Sequence, residues 1–543
     1  MQDLHPIVRT RRTRAAAAGT GLVSAALVVT LAAPAAGSGS GGGGAVVGPN
    51  GGVAPYVLPV ADGVRVTSLL TVGRGTAADG SRLVGIPDGI GVYGAQGRAT
   101  VLVNHELRDT AGIARGHGQK GAFVSRWSID PRSLKVTRGS DLIEPGVRYW
   151  DYPADTYAAA PVAPAGATSG HTPAFSRFCS GYLAPAGELR NERSGAGYAR
   201  GLYFANEEAG DEGRVFGVTT DGDAHQLPRL GLFSWENTVS APNRTDTTVV
   251  LGNEDSGNGQ LRVYVGTKQR TGNPVERAGL TNGSLFVVDA ADEAVSTDAR
   301  WRTTYGTGVP AEVTFGPGET IDTTRNGVAQ NVEAAAKGLA LNRIEDGAFD
   351  PRNRDDYYFL TTEGGSTTPD PATPGVPRDG GGLWRLSFED VDRPHLGGTL
   401  TLLLDGTEAP LLSKPDNMAI DTRGNLLIQE DPGGNDIAAR IVAYRIKDGA
   451  LGVVAQFDQA LFGVTNPAGT TPDLRAVLTT DEESSGIVDT AKIFGRGTFL
   501  FDAQVHSPKN LPTGTGPGTV EELVENGQLL LLSVKDWSQV YGD

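Results

Sequence analysis

The chain has 543 residues, 39 % of them hydrophobic and 20 % charged, a balance that argues against a disordered or membrane-embedded protein and suits a large soluble core. Its 47 basic and 63 acidic residues give a formal charge of -16 and a pI near 5.0, which excludes an electrostatic grip on nucleic acid. The acidic excess serves either solubility or the supply of hard oxygen ligands for cations.

At the N-terminus, Arg9, Arg11, Arg12 and Arg14 precede an apolar run over residues 22–33, a small-residue Ala33-Pro34-Ala35 site and a Gly/Ser stretch. This order reads as a signal peptide over residues 1–36, followed by a flexible segment over 37–54. The apolar run is too short for a bilayer span of about 20 residues, and no later segment is long and apolar enough, so no membrane span is expected after processing. The Arg11-Arg12 pair admits twin-arginine export, but Thr13-Arg14-Ala15 lacks the usual apolar follow-up, so Sec export stays equally open. The expected location is secreted or on the cell-envelope exterior, and the expected state is a monomer. Cys179 has no second cysteine to pair with. By its chemistry it is either buried and inert, or a metal ligand or nucleophile.

The 76 glycines, 32 prolines and short apolar runs describe a sheet-and-turn protein. Six runs in chain order end in polar groups. Thr100-Val101-Leu102-Val103 leads to Asn104-His105-Glu106, Leu202-Tyr203-Phe204-Ala205 to Asn206-Glu207-Glu208, and Val249-Val250-Leu251 to Asn253-Glu254-Asp255. Tyr357-Tyr358-Phe359-Leu360 leads to Thr361-Thr362-Glu363, Leu426-Leu427-Ile428 to Gln429-Glu430-Asp431, and Phe499-Leu500-Phe501 to Asp502 and His506. Such runs fit strands buried on both faces, as expected of inner blade strands. The predicted fold is all-β, a six-bladed β-propeller with inserted loops and short helices, occupying residues 55–543 as one domain. Short helices fit residues 332–341 and 519–526.

Radial sheets bring like strand ends to a common axis, so the acidic ends predict a ring of carboxylates at one mouth of the channel. Repulsion in such a ring is relieved by bound cations. Glu106, Glu207, Glu208 and Glu254 are candidate ligands on this pattern, and His105, His171 and His506 are open possibilities.

Five segments carry a more specific signal: Leu102-Val103-Asn104-His105-Glu106, Phe178-Cys179-Ser180-Gly181, Asn206-Glu207-Glu208, Arg343-Ile344-Glu345-Asp346 and Lys414-Pro415-Asp416-Asn417. In this order they resemble the PhoX family of alkaline phosphatases. The resemblance implies hydrolysis of a small phosphomonoester by a propeller carrying Fe3+ and Ca2+ at one end of its channel. It implies Cys179 as an iron ligand, Glu207 or Glu208 as a metal ligand, and Glu345, Asp416 and Asn417 as further ligands. Arg343 is implied to grip phosphate, with Lys268 as a second cation neutralising developing charge. Phe233-Ser234-Trp235-Glu236 stands where the family has a Ser-His-Glu stretch. The rival readings are a phytase-like or lactonase-like calcium hydrolase and a non-catalytic binding propeller held by calcium.

Overall fold

A computed structural model describes residues 44–365, 379–433, 437–463 and 477–543. The expected signal peptide lies outside the described residues. Antiparallel sheets form six blades, and the inner strand of each packs against inner strands of its neighbours around a central channel. In chain order the inner strands are Pro87–Ala95, Phe178–Ala184, Trp235–Ser240, Ile344–Asp350, Pro415–Ile420 and the split strand Glu482–Glu483 with Val488–Asp489. The second strands are Arg98–His105, Leu202–Glu207, Thr247–Glu254, Asn353–Thr361, Asn425–Glu430 and Thr498–Val505.

The six apolar runs are therefore second strands, not the inner strands that the sequence suggested. The second strand is the one sandwiched on both faces. In Arg98–His105, Val101 and Val103 pack into one interblade core while Leu102 packs into the next. Inner strands face the channel on one side, which admits polar residues and breaks the apolar run.

Closure uses both ends of the chain. Val64–Thr71 pairs antiparallel with Asn526–Val534, so an N-terminal strand completes the last blade. Val57–Pro59 likewise adds to the blade before it. Gly44–Val47, inside the segment expected to be flexible, pairs in parallel with Arg65–Ser68, whose free edge supplies its backbone partners. Among the described residues helices are short and lie in connections, the longest being Gly327–Ala335. Among the described residues no helix is long and apolar enough to cross a membrane.

Gln528 is fully buried at this closure. Its amide donates to the Ala54 carbonyl at 2.9 Å and to Thr71 Oγ1 at 2.8 Å, and its oxygen accepts from the Tyr56 amide at 2.7 Å. Gln528→Leu strips the N-terminal segment of three hydrogen bonds to this buried side chain. It is expected to lower unfolding free energy by about 3 kcal/mol, read as a shift of the denaturant midpoint; an unchanged midpoint would contradict this closure.

Candidate metal centre

At one end of the channel the six blades repeat a single register. The second residue of each inner strand is Asp88, Cys179, Glu236, Glu345, Asp416 or Glu483. In five blades a β-irregularity follows at once, between Pro87 and Ile90, Phe178 and Gly181, Trp235 and Asn237, Ile344 and Gly347, and Pro415 and Met418. A bulge sets two residues against one and re-aims their side chains, here at the mouth of the channel. Backbone carbonyls released from the ladder are met by amides of the second strands: Asn104 donates to Cys179 O at 2.6 Å, Asn206 to Ser180 O at 2.7 Å and Gln429 to Ser485 O at 3.2 Å.

The chain leaving each second strand adds another layer. The amides of Glu106, Glu208, Asp255, Thr362, Asp431 and His506 donate to carbonyls of Ile86, Arg177, Ser234, Arg343, Lys414 and Asp481, at 2.9 to 3.2 Å. Each acceptor stands two residues before an inner-strand acid or thiol. Ile86, Arg177, Arg343 and Lys414 hold left-handed φ values of 49°, 47°, 56° and 46°. Non-glycine residues adopt that region at a cost of about 1 kcal/mol or more, so the surrounding hydrogen bonds must enforce it.

These layers enclose a cavity of ≈ 340 Å³ lined by Asp88, Glu106, Cys179, Glu208, Glu236, Asp255, Glu345, Asp416, Asp431 and Glu483, with Arg177, Arg343 and His506 among them. Ligand atoms converge within 4.8 Å in four overlapping groups: Asp88, Glu106 and Cys179; Cys179, Glu208 and Glu236; Glu236, Glu345 and Asp416; Asp416, Asp431 and Glu483. Cys179, Glu236 and Asp416 are each shared by two groups, so the sites form a connected chain.

The acidic pairs at the strand ends divide their labour. Glu207 pairs with Arg214 at 2.6 Å, Glu254 with Arg262 at 2.8 Å and Glu430 with Arg440 at 2.6 Å. The next residues, Glu208, Asp255 and Asp431, turn into the cavity. Side chains alternate along extended chain, so adjacent acids face opposite ways. Of the residues predicted from sequence, Glu106, Cys179, Glu208, Glu345, Asp416 and Arg343 come together, whereas Glu207 and Glu254 serve the arginines beside the cavity. Asn417 lines the cavity, but its oxygen accepts from Ser180 Oγ at 3.0 Å and the Gly486 amide at 3.1 Å.

Lys268 lies at the opposite end of its blade. Its neighbour Thr267 pairs with Thr247, at the far end of Thr247–Glu254, about 23 Å of strand from Glu254. Its ammonium is tied to carbonyls of Thr245 at 3.1 Å and Thr247 at 2.9 Å, and burial lowers its pKa to about 8. His105 is buried against Ser125, and His171 pairs with Glu212.

Sequence reasoning left Asp88, Glu236, Asp255, Asp431, Glu483, Arg177 and His506 outside its ligand set. A usable signal was present: an apolar or proline residue, then an acid or Cys, then Gly, Ser or Asn, as in Pro87-Asp88-Gly89, Phe178-Cys179-Ser180, Trp235-Glu236-Asn237 and Pro415-Asp416-Asn417.

Burial first, and then like charge, pushes five cavity carboxyls well above their usual range: Glu106 acts on Asp88 and on Glu208, Asp255 on Glu345, Glu236 on Asp416, and Glu483 on Asp431, whereas Glu483 itself is lowered, against burial, by its contact with His506. Glu236 reaches about 8 through burial and Asp255, opposed by the Ser180 hydroxyl at 2.6 Å. The Cys179 thiol is raised by burial and then by Asp88 and Glu236, and donates to Glu236 Oε2 at 3.0 Å. Arg177 bridges Glu106 and Glu208, while Arg343 holds Asp255 at 2.8 and 3.0 Å and Glu345 at 3.2 Å. Burial would lower the His506 pKa, but Glu483 and Glu525 raise it to about 11.

Residues 192–483 match the family model described as alkaline phosphatase PhoX. The chain belongs to the PhoX family. It is therefore a phosphoric monoester hydrolase, and the lactonase-like and non-catalytic readings fall away. Among solved structures it is similar to Pseudomonas fluorescens PhoX in complex with vanadate, a transition state analogue, at 12 % identity and a TM-score of 0.58, covering 88 % of this chain and 97 % of that one. A periplasmic gluconolactonase of Pseudomonas aeruginosa matches at 12 % identity over 68 % of this chain and 85 % of that chain, with a TM-score of 0.29, too low to carry an argument. No curated protein matches. PhoX phosphatases are metal-dependent, in keeping with the candidate sites on this chain.

Carboxyls with raised folded-state pKa values bind more protons folded than unfolded, so stability of the metal-free protein falls as pH rises from about 4 to about 8. A cation binds the deprotonated native cluster and adds stability that grows with pH. The melting temperature of the chelated protein should fall between pH 5 and pH 8, and millimolar Ca2+ should raise it more at pH 8; a chelated protein that gains stability over this window would refute the charge assignment.

Proposed function

We propose that this phosphatase binds ferric iron at the two groups that share Cys179 and calcium at the two built from carboxylates. The observation that carries this reading is the overlap of the four groups through Cys179, Glu236 and Asp416. The donor chemistry fits: a thiolate is a soft, strongly donating ligand suited to iron, and carboxylate oxygens suit calcium. The proposed ligands are Asp88, Glu106, Cys179, Glu208, Glu236, Glu345, Asp416, Asp431 and Glu483. Glu207, Glu254 and Asn417 are assigned to holding the scaffold. When bound, such cations polarise phosphoryl oxygens and lower the pKa of bound water.

The chain's own groups do the rest. Arg343 holds Asp255 through Nε and Nη2 and Glu345 through Nη2, so its planar guanidinium can stay anchored by one edge while Nη1 meets a phosphate oxygen. Arg177, fixed by Glu106 and Glu208, faces the same cavity. His506, held by Glu525 at 3.1 Å, lines the same cavity. Their preorganisation offsets the charge that develops on the phosphoryl group. Residues 1–36 are proposed as an export signal ahead of one catalytic domain that acts as a monomer outside the cytoplasm on small phosphoesters.

Two pairs of variants test these assignments by elemental analysis and turnover of p-nitrophenyl phosphate. Cys179→Ala should lose iron and activity together, and Glu208→Gln should lose metal, whereas Glu207→Gln should keep metal and chiefly lower stability, by about 3 kcal/mol through its unpaired Arg214. Arg343→Lys should retain the metals and lose at least tenfold in kcat/KM, because one ammonium cannot hold Asp255 and meet phosphate together. Full iron content in Cys179→Ala would remove the thiolate from the site.

A further inference from the structure

The position two residues before each inner-strand acid or thiol is cationic in three blades, as Arg177, Arg343 and Lys414, but in the third blade it is Ser234. Beside this small side chain lies a second cavity of ≈ 320 Å³ that shares Asp255 with the metal cavity. Its walls are the connections around Asp211 and around Ser256 and Asn258, together with Asn331 and Ala335 of the inserted helix Gly327–Ala335.

The lining divides into occupied and available groups. Asn331 is engaged by Asp211 at 2.8 Å and Arg262 at 2.7 Å, and Glu254 by Arg262 and the Gln260 amide. The hydroxyls of Ser234 and Ser256 and the side-chain amide of Asn258 take no hydrogen bond from the other described residues. Among the described residues no aromatic ring and no Lys or Arg lines this cleft, while Asp211, Glu254 and Asp255 do.

We propose that this cleft receives the alcohol portion of the phosphomonoester and selects neutral, hydroxyl-rich alcohols such as polyols and sugars. The inference rests on the cation site proposed above. The phosphorus–oxygen bond that breaks joins the phosphoryl group in the metal cavity to the alcohol oxygen, so the alcohol lies at the rim of that cavity, where the neighbouring cleft, which shares Asp255 with it, can take up an alcohol that its polar groups recognise. Ser234 puts a short side chain on the cleft where other blades carry Arg177, Arg343 or Lys414. Available hydroxyl and amide groups pair with substrate hydroxyls, hydrogen bonds that an alcohol lacking hydroxyls cannot make. A flat aryl group finds no ring to stack on, and a second anionic group meets the field of Asp211.

The test compares metal-loaded wild type with Asn258→Leu, Ser256→Val and Ala335→Leu on a hexose 6-phosphate and on p-nitrophenyl phosphate. Ala335 is on the exposed side of its helix, so its leucine variant narrows the cleft without touching the core. The proposal expects kcat/KM for the sugar phosphate to fall about tenfold, chiefly through KM, with the aryl substrate changed less than twofold. Equal losses on both substrates, or no change on either, in variants that melt like wild type would overturn it while leaving the phosphatase site intact. If metal-loaded wild type turned over neither substrate, the cation site itself would fail, and this inference with it.

Discussion

Mutual repulsion among carboxylates at one mouth of the channel is the constraint on which the rest of the structure depends. Ten acidic residues line a cavity of ≈ 340 Å³, with Arg177, Arg343 and His506 as the cations among them. Burial and like charge favour the neutral forms, so the cluster keeps full ligand strength only when cations enter. The scaffold must therefore hold the acids together against their own field. It does so by closing the ring with an N-terminal strand, by irregular strand starts that aim each acid inward, and by arginines that clamp the layer behind.

Radial repetition explains how so few residues per blade build the centre. Each blade contributes an inner-strand residue, and five of the six add the residue past the end of the second strand, whose amide donates at 2.9 to 3.2 Å to the carbonyl two positions before the inner-strand residue. Sixfold use of one local geometry turns a short offset in sequence into a closed ring of donors. Buried Arg214, Arg262 and Arg440 repeat on the outer side, each against the acid preceding a cavity acid or its equivalent. These pairs neutralise charge that would otherwise add to the repulsion inside.

The blades are alike in backbone and differ in chemistry. One supplies a thiol where the others supply carboxylates, and three set a cation at the mouth where the others carry Ile86, Ser234 and Asp481. This asymmetry gives one side of the cavity soft donor character, gives another side only hard oxygen, and sets a short side chain, Ser234, on the second cavity beside the third blade.

The sequence by itself determined the all-β propeller and its six blades, because the doubly buried second strands leave continuous apolar runs such as Tyr357-Tyr358-Phe359-Leu360. It also marked Cys179, Glu345, Asp416 and Arg343, which sit in motifs shared with a family. It could not tell which acid of Glu207-Glu208, Glu254-Asp255 or Glu430-Asp431 enters the cavity, since that depends on where the strand ends and which face then meets an arginine. Lys268 lay within reach of no such rule, because distance along a strand is invisible without the pairing of Thr267 with Thr247. Asp88 and Glu483 stayed hidden, and Glu236 was marked only by its position in a family-like stretch, for a related reason: inner strands are short, polar and bulged, so their period carries little signal. Only the closed ring, which brings residues some 400 positions apart such as Asp88 and Gln504 within 3.1 Å, decided that these acids belong to one centre.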